Sequence, residues 1–188
     1  MAAWAVVIAL GALAAGWAWF ARDPERKTPA APGLVVAPAD GRVLLVEQVA
    51  ASTSDPDGAW RIAIFLSLLD VHVQRAPEAG LVSESVQRPG GYAPAMKAAA
   101  AHNAGHWLGL DTAAGPMRLL RTAGLVARRV TTEVEPGDRV RRGQRIGRIW
   151  LGSRAEVYLP RHLQPTVSRG QRVIAGETVI ARAPNSEA

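Results

Sequence analysis

Three side chains stand where proton transfer or nucleophilic attack is chemically reasonable: Asp40 in VVAPADGRV, His72 in FLSLLDVHVQRAP and Ser153 in GRIWLGSRAEVYLP. His72 carries the imidazole, the group best matched to proton transfer near neutrality. It has Asp70 and Val71 before it and Arg75 after it. The same surroundings also suit a structural histidine bonded to a neighbouring carbonyl. Asp40 precedes Gly41, and Asp-Gly is a common turn pair. His102 and His106 sit four apart, a metal-ligand spacing on a helix, but Gly105 lies between them and no third ligand is evident, so no metal is expected. His162, just after YLP, is read as solvent-facing. No cysteine is present, which excludes disulfides, thiolate metal sites and a cysteine nucleophile. No glycine-rich phosphate loop followed by a lysine occurs, the only lysines being Lys27 and Lys97.

These residues need a frame, and the sequence reads as mainly β. Short runs of Val, Ile and Leu recur between Gly, Pro and Asp at 42–49, 60–66, 71–75, 117–120, 125–134, 145–150 and 155–159, the pattern of strands separated by turns. One segment interrupts them: the alanines of MKAAAAHNAGHW, within 94–106, favour a short helix that Gly105 ends. An internal repeat follows. Val134, Gly137, Val140, Gly143 and Ile146 recur 33 residues later as Val167, Gly170, Val173, Gly176 and Val179. Each copy predicts turn, strand, turn, strand, and two copies can pack face to face as a two-sheet sandwich. Similar phrases occur in lipoyl and biotinyl carrier domains, so the repeat speaks for a sandwich-like architecture and not for chemistry.

The N-terminus is of another kind. Met1 to Phe20 contains no charged side chain, has Trp4, Trp17 and Trp19 near its ends, and is followed by Arg22, Arg26 and Lys27. That length crosses a hydrocarbon core of about 30 Å as a helix. A signal peptide would carry its basic residues first and end on small residues. Residues 1–20 are therefore expected to be a membrane anchor, with the larger part of the chain on the cytoplasmic side. A charged linker with Pro24, Pro29 and Pro32 spans 21–33, and one domain spans 34–188. Twenty-two basic against sixteen acidic residues give a net charge of +6, mostly scattered and without aromatic interleaving. Nucleic acid is therefore not the expected partner, and anionic lipid is.

Four phrases, FARDPERKTP, VVAPADGRV, FLSLLDVHVQRAP and GRIWLGSRAEVYLP, taken in this order behind an apolar N-terminus, resemble the short, archaeal-type phosphatidylserine decarboxylases. The similarity includes AGLVARRVTTEVEPGDRVRRGQRIG and covers most of 20–160. The resemblance implies a precursor that cuts itself between Gly152 and Ser153, giving a large subunit 1–152 and a small subunit 153–188 that begins with a pyruvoyl group. Glycine lacks a Cβ, so the serine hydroxyl can approach the Gly152 carbonyl in a geometry closed to most residues. The pyruvoyl ketone would form a Schiff base with the amine of phosphatidylserine and accept the electrons released with carbon dioxide, leaving phosphatidylethanolamine. No other cofactor and no metal are implied.

By the same resemblance, His72 is the base and Asp40 the aspartate that orients it. The longer bacterial enzymes carry a second histidine three residues on, the one usually assigned to self-cleavage. Here that position is Arg75, a poor base that can hold a phosphate or an oxyanion. The expected partners are phosphatidylserine in the cell membrane and the two subunits of one precursor, with a homo-oligomer left open. The alternative is a non-enzymatic, membrane-anchored lipoyl-like adaptor. It explains the anchor and the repeat, but not LGSR or DVHVQRAP, and neither repeat offers the lysine a carrier domain modifies.

Overall fold

A computed structural model describes residues 2–51, 58–94, 100, 102–122, 124, 129–150 and 153–184, the side chains of Ala2 and Ser153 excepted. One helix, α1 (Ala2–Ala21), precedes fourteen strands. These are β1 (Leu34–Val36), β2 (Gly41–Val49), β3 (Ala59–Leu66), β4 (Val73–Arg75), β5 (Gly80–Arg88), β6 (Gly105–Thr112) and β7 (Gly115–Thr122). There follow β8 (Val130–Thr132), β9 (Arg139–Val140), β10 (Arg145–Ile149), β11 (Ser153–Pro160), β12 (Gln164–Pro165), β13 (Arg172–Val173) and β14 (Val179–Arg182). The mainly-β, sandwich-like expectation holds.

An eight-stranded antiparallel sheet, in the order β13-β2-β3-β11-β7-β6-β5-β9, forms the body. Two three-stranded sheets, β1-β14-β12 and β4-β10-β8, complete the domain. Alternation along the strands builds one core: Ile62, Ile64 and Leu66 of β3, Ala155, Val157 and Leu159 of β11, and Leu108 and Leu110 of β6 are all buried in it. The other face of β11 is buried as well, but polar. Glu156 receives Arg61 at 2.7 Å and the Tyr158 hydroxyl at 2.9 Å, and Arg154 lies 2.7 Å from its second oxygen. A buried carboxylate met by two guanidinium groups is compensated where it would otherwise be costly.

The glycine repeat takes a different place from the two facing sheets the sequence suggests. Its copies sit at opposite edges of the large sheet, where β9 pairs with β5 and β13 with β2. Each copy then sends its second strand, β10 or β14, into a different small sheet. The partners of the two copies are themselves related. Gly143 N–H donates to Ala76 O and Gly176 N–H to Ala37 O, both at 2.8 Å, while Gly137 donates to Val82 O and Gly170 to Val43 O, again at 2.8 Å. Ala37-Pro38-Ala39-Asp40-Gly41-Arg42-Val43 and Ala76-Pro77-Glu78-Ala79-Gly80-Leu81-Val82 are thus a second repeated phrase, meshed with the first. Gly143 and Gly176 both have positive φ, 76° and 75°, which a side chain would resist.

The expected helix within 94–106 falls mostly outside the described residues; Ala100 and His102 lie in a short 3-10 turn, and the chain becomes extended at Gly105, where the helix was expected to end. Residues 95–99 and 101 lie outside the described part, but Gly105 and His106 open strand β6, paired with Arg88 and Gln87 of β5. Strand β5 and the whole of β6 are elements the hydrophobic pattern did not reveal.

Helix α1 is exposed along almost all its length and is long and apolar enough to cross a membrane. Its last turn enters the domain, where Phe20 is buried. The linker behind it is not loose. Asp23 pairs with Arg75 at 3.2 Å and Arg145 at 2.6 Å, and Glu25 pairs with Arg145 at 2.8 Å. Arg142 donates to Pro29 O and Ala31 O at 2.9 and 2.7 Å.

Candidate active site

The turn after β3 is closed by Asp70. Its Oδ2 accepts from Ser67 N–H at 2.8 Å and from Ser67 Oγ at 2.6 Å, and its Oδ1 receives Arg172 at 2.6 Å. Asp70 is itself buried, so the turn is tied to the domain interior rather than left to sway. Two residues on, His72 has no exposed surface. Its Nδ1 donates to Asp70 O at 2.9 Å, which leaves the lone pair on Nε2. Its own carbonyl accepts from Ile149 N–H at 3.1 Å and Gln74 Nε2 at 2.6 Å.

The imidazole meets the base of α1. Its ring centroid lies 4.5 Å from that of Phe20, which in turn packs on Trp17 at 5.9 Å and Trp150 at 6.1 Å. Trp17 and Trp150 stack at 6.0 Å. Burial holds the His72 pKa below its ordinary value, and the positive charges of Arg148 and Arg22 add to this against the opposing effect of the Asp70 carbonyl. The ring is therefore neutral at physiological pH and able to accept a proton.

Ser153 is brought to the same place. As the first residue of β11, it pairs with Leu66, the last residue of β3, from which the Ser67–Asp70 turn leads to His72. On the other side, Ile149, which holds the His72 carbonyl, is the last residue of β10 and stands three positions before Gly152. Both arms of the connection from β10 to β11 thus converge on the segment carrying His72. Gly152 lies outside the described residues.

Asp40 and Arg75 are gathered elsewhere. Asp40 Oδ2 receives Arg26 at 2.8 Å and its Oδ1 accepts from Ala175 N–H at 2.7 Å. These contacts tie Asp40 to the linker and the second repeat, and the Nδ1 proton of His72 goes to the Asp70 carbonyl instead. Arg75 is buried, donating to Gly143 O at 2.9 Å and Pro24 O at 3.0 Å besides its ion pair with Asp23. It lines an open basic depression of about 600 Å³ with Arg26, Arg141, Arg142 and Arg145. His106 does not face His102 across a helix. Its Nδ1 accepts from Arg121 at 2.7 Å and its Nε2 meets Ser85 Oγ at 3.1 Å. His162 is exposed, as expected.

The similarity to known proteins runs over most of the chain and takes in these strand ends. The phosphatidylserine decarboxylase family model matches residues 13–181. This chain belongs to the phosphatidylserine decarboxylase family. A phosphatidylserine decarboxylase proenzyme of Symbiobacterium thermophilum is 45% identical over 182 residues, covering 94% of this chain and 85% of the relative. Proenzymes of the same name from Paramagnetospirillum magneticum and Streptomyces coelicolor are 43% and 42% identical, covering 94% and 95% of this chain and 76% and 78% of theirs. Membership of a decarboxylase family supports an enzyme over a non-enzymatic adaptor.

In this family member the sequence reading overlooked a buried polar cluster near the same strand ends. Arg121 has no exposed surface, yet among the described residues no carboxylate forms an ion pair with it. It donates to His106, to Thr132 Oγ1 at 2.7 Å, and to the Thr131 and Ile146 carbonyls at 3.3 Å. Burial lowers its pKa to about 10, and burial together with Arg121 pushes His106 down to about 4. Arg121 pairs with Ala155, two residues beyond Ser153. Its only sequence signal was a polar residue at the core phase of a strand, Met117, Leu119, Arg121.

Proposed function

We propose that this chain decarboxylates phosphatidylserine to phosphatidylethanolamine and carbon dioxide, after cutting itself between Gly152 and Ser153. The observation that carries this reading is the convergence of Ser153, through Leu66, and of Ile149 on the buried, neutral His72. In the cut, the Ser153 hydroxyl attacks the Gly152 carbonyl, its proton passing to His72, and the peptide nitrogen leaves as the amine of an ester. Loss of the Ser153 α-proton expels the Gly152 carboxylate. Water then replaces the nitrogen as ammonia. The products are 1–152 and 153–188, the latter headed by a pyruvoyl group.

The geometry suits such a cut. Strand β10 ends at Ile149 and β11 begins at Ser153, so the 152–153 bond lies at the start of β11 and not in its middle. The pyruvoyl ketone supplies an electron sink for the bond to the departing carboxylate. The residues of this chain do the rest. His72 holds or accepts the mobile proton at Nε2, and the Phe20–Trp17–Trp150 cluster keeps water from it. Among the described histidines, His106 is committed to Arg121 and both His102 and His162 are exposed, so His72 serves both steps. Asp40 and Arg75 act through the linker, holding α1 where Phe20 covers His72, with Arg75 at the edge of a basic depression suited to the lipid phosphate.

Helix α1 anchors the enzyme, with Arg22, Arg26 and Lys27 placing the domain on the cytoplasmic face. The test is carbon dioxide release from phosphatidylserine in mixed micelles. Wild-type protein should turn over and be inactivated by a carbonyl reagent such as phenylhydrazine. Ser153→Ala should be folded and inactive. Activity that survives in Ser153→Ala, or resists the reagent, contradicts the reading.

A further inference from the structure

The turn between β3 and β4 presents Leu68 and Leu69 at its tip, 54% and 70% exposed. Two adjacent leucines this exposed are unusual at the end of a turn whose other members, Ser67 and Asp70, are held by three hydrogen bonds between them. The tip does not stand alone. With Ala12, Leu13, Gly16 and Phe20 of α1 it lines an apolar groove of about 420 Å³ that no charged residue enters. Arg22 fastens the turn to the helix end, donating to Leu69 O at 2.5 Å and to Trp19 O at 2.8 Å, with its guanidinium 4.2 Å from the Trp19 ring centroid.

We propose that Leu68 and Leu69 form a second membrane contact, entering the hydrocarbon layer beside α1, with phospholipid acyl chains filling the groove between them. This rests on the reading of α1 as a membrane anchor. Helix α1 is apolar around its whole circumference, so the medium that covers one side of it covers the other. The stretch from Ala12 to Phe20 rises about 12 Å along the axis, which fits within one leaflet of a hydrocarbon core about 30 Å thick. Arg22 lies at the level where a guanidinium meets lipid phosphates while its stem stays on apolar surface. The turn emerges on the helix side of Arg22, and His72, two residues past Asp70, touches Phe20 at the groove's inner end. A lipid whose chain occupies the groove would present its headgroup to His72 without leaving the bilayer.

The absence of cysteine allows clean single labels. Full-length Leu69→Cys, Leu10→Cys in α1, and Ala113→Cys at the far tip of the β6–β7 hairpin are each labelled with an environment-sensitive fluorophore. Each is then placed in phosphatidylcholine–phosphatidylglycerol vesicles carrying a nitroxide quencher high on the acyl chain. The expected result is quenching at positions 69 and 10 and none at 113. Quenching at 10 but not at 69 overturns the proposal and leaves the anchor intact. Quenching at neither removes both. A position 69 shielded from aqueous iodide yet unquenched by the nitroxide means that protein covers the turn, which also overturns the proposal.

Discussion

His72 is held by its own neighbours: the Asp70 carbonyl on Nδ1, the Ile149 amide on its carbonyl and the Phe20 ring on its face. Two predictions follow from that setting. His72→Ala should leave the precursor largely uncut, and any cut fraction should turn over about 10²–10⁴-fold more slowly. Gel and carbon dioxide measurements read the two effects separately. Normal cutting with normal turnover would remove His72 from the account. The second concerns pH. Burial penalises the imidazolium, so the acid limb of the rate profile should lie below the ordinary histidine value. Phe20→Ala admits water to the ring and should move that limb upward, while Phe20→Leu should largely preserve it. An unmoved limb in Phe20→Ala would mean that the helix end does not set the proton affinity of His72. Whole phrases singled out His72 and the Gly152–Ser153 pair in the sequence. The orienting partner was not legible there. The group that fixes the ring is a main-chain carbonyl, which every residue carries, and the Asp70 side chain acts one step removed by closing the turn.

At the scale of elements, periodicity found the strands that bury one face. It found β3, β10 and β11 because runs of Ile, Leu and Val stand between Gly, Pro and Asp, with Ala155, Val157 and Leu159 of β11 alternating with Glu156 and Tyr158. It missed β5 because Ser83, Glu84 and Ser85 break the pattern, and it missed β6 because the alanines before it suggested a helix. The second repeated phrase, APADGRV and APEAGLV, was hidden because only Ala, Pro, Gly and Val recur, and its meaning lies in backbone bonds to the glycine repeat. The Arg121–His106 pair at the core-facing end of β6 and β7 yields a stability prediction. His106 titrates at about 4 in the fold, so the unfolded chain binds more protons than the native one as pH falls from about 6.5 towards 4. Stability should drop over that window, by about 3 kcal/mol at most from this group. His106→Gln, which cannot gain the charge, should flatten the dependence of the urea midpoint on pH across the same window. An unchanged slope would show that the Arg121 neighbourhood tolerates the imidazolium.

At the scale of the molecule, α1, the segment behind it and the domain are joined, with α1 ending on His72 and the segment clasped to the repeats. The expected linker, 21–33, is therefore a strap in which Asp23, Glu25 and Arg26 pair with the domain, something composition alone could not show. Asp23→Ala removes one partner from each of Arg75 and Arg145. Its cost of about 1 kcal/mol should raise native-state trypsin cleavage after Arg22, Arg26 or Lys27 roughly fivefold. An unchanged cleavage rate would mean that the clasp contributes nothing to holding the strap. The central claim, however, is that this chain makes its own reactive group at one bond, and intact mass of the purified protein tests it most directly. The account predicts two chains, 1–152 and 153–188, the smaller lacking a free amino terminus and lighter than a serine-headed peptide by the difference between serine and pyruvate. Ser153→Ala should give one chain of 188 residues. A folded, membrane-bound wild-type protein that keeps its full mass and still decarboxylates phosphatidylserine would contradict it.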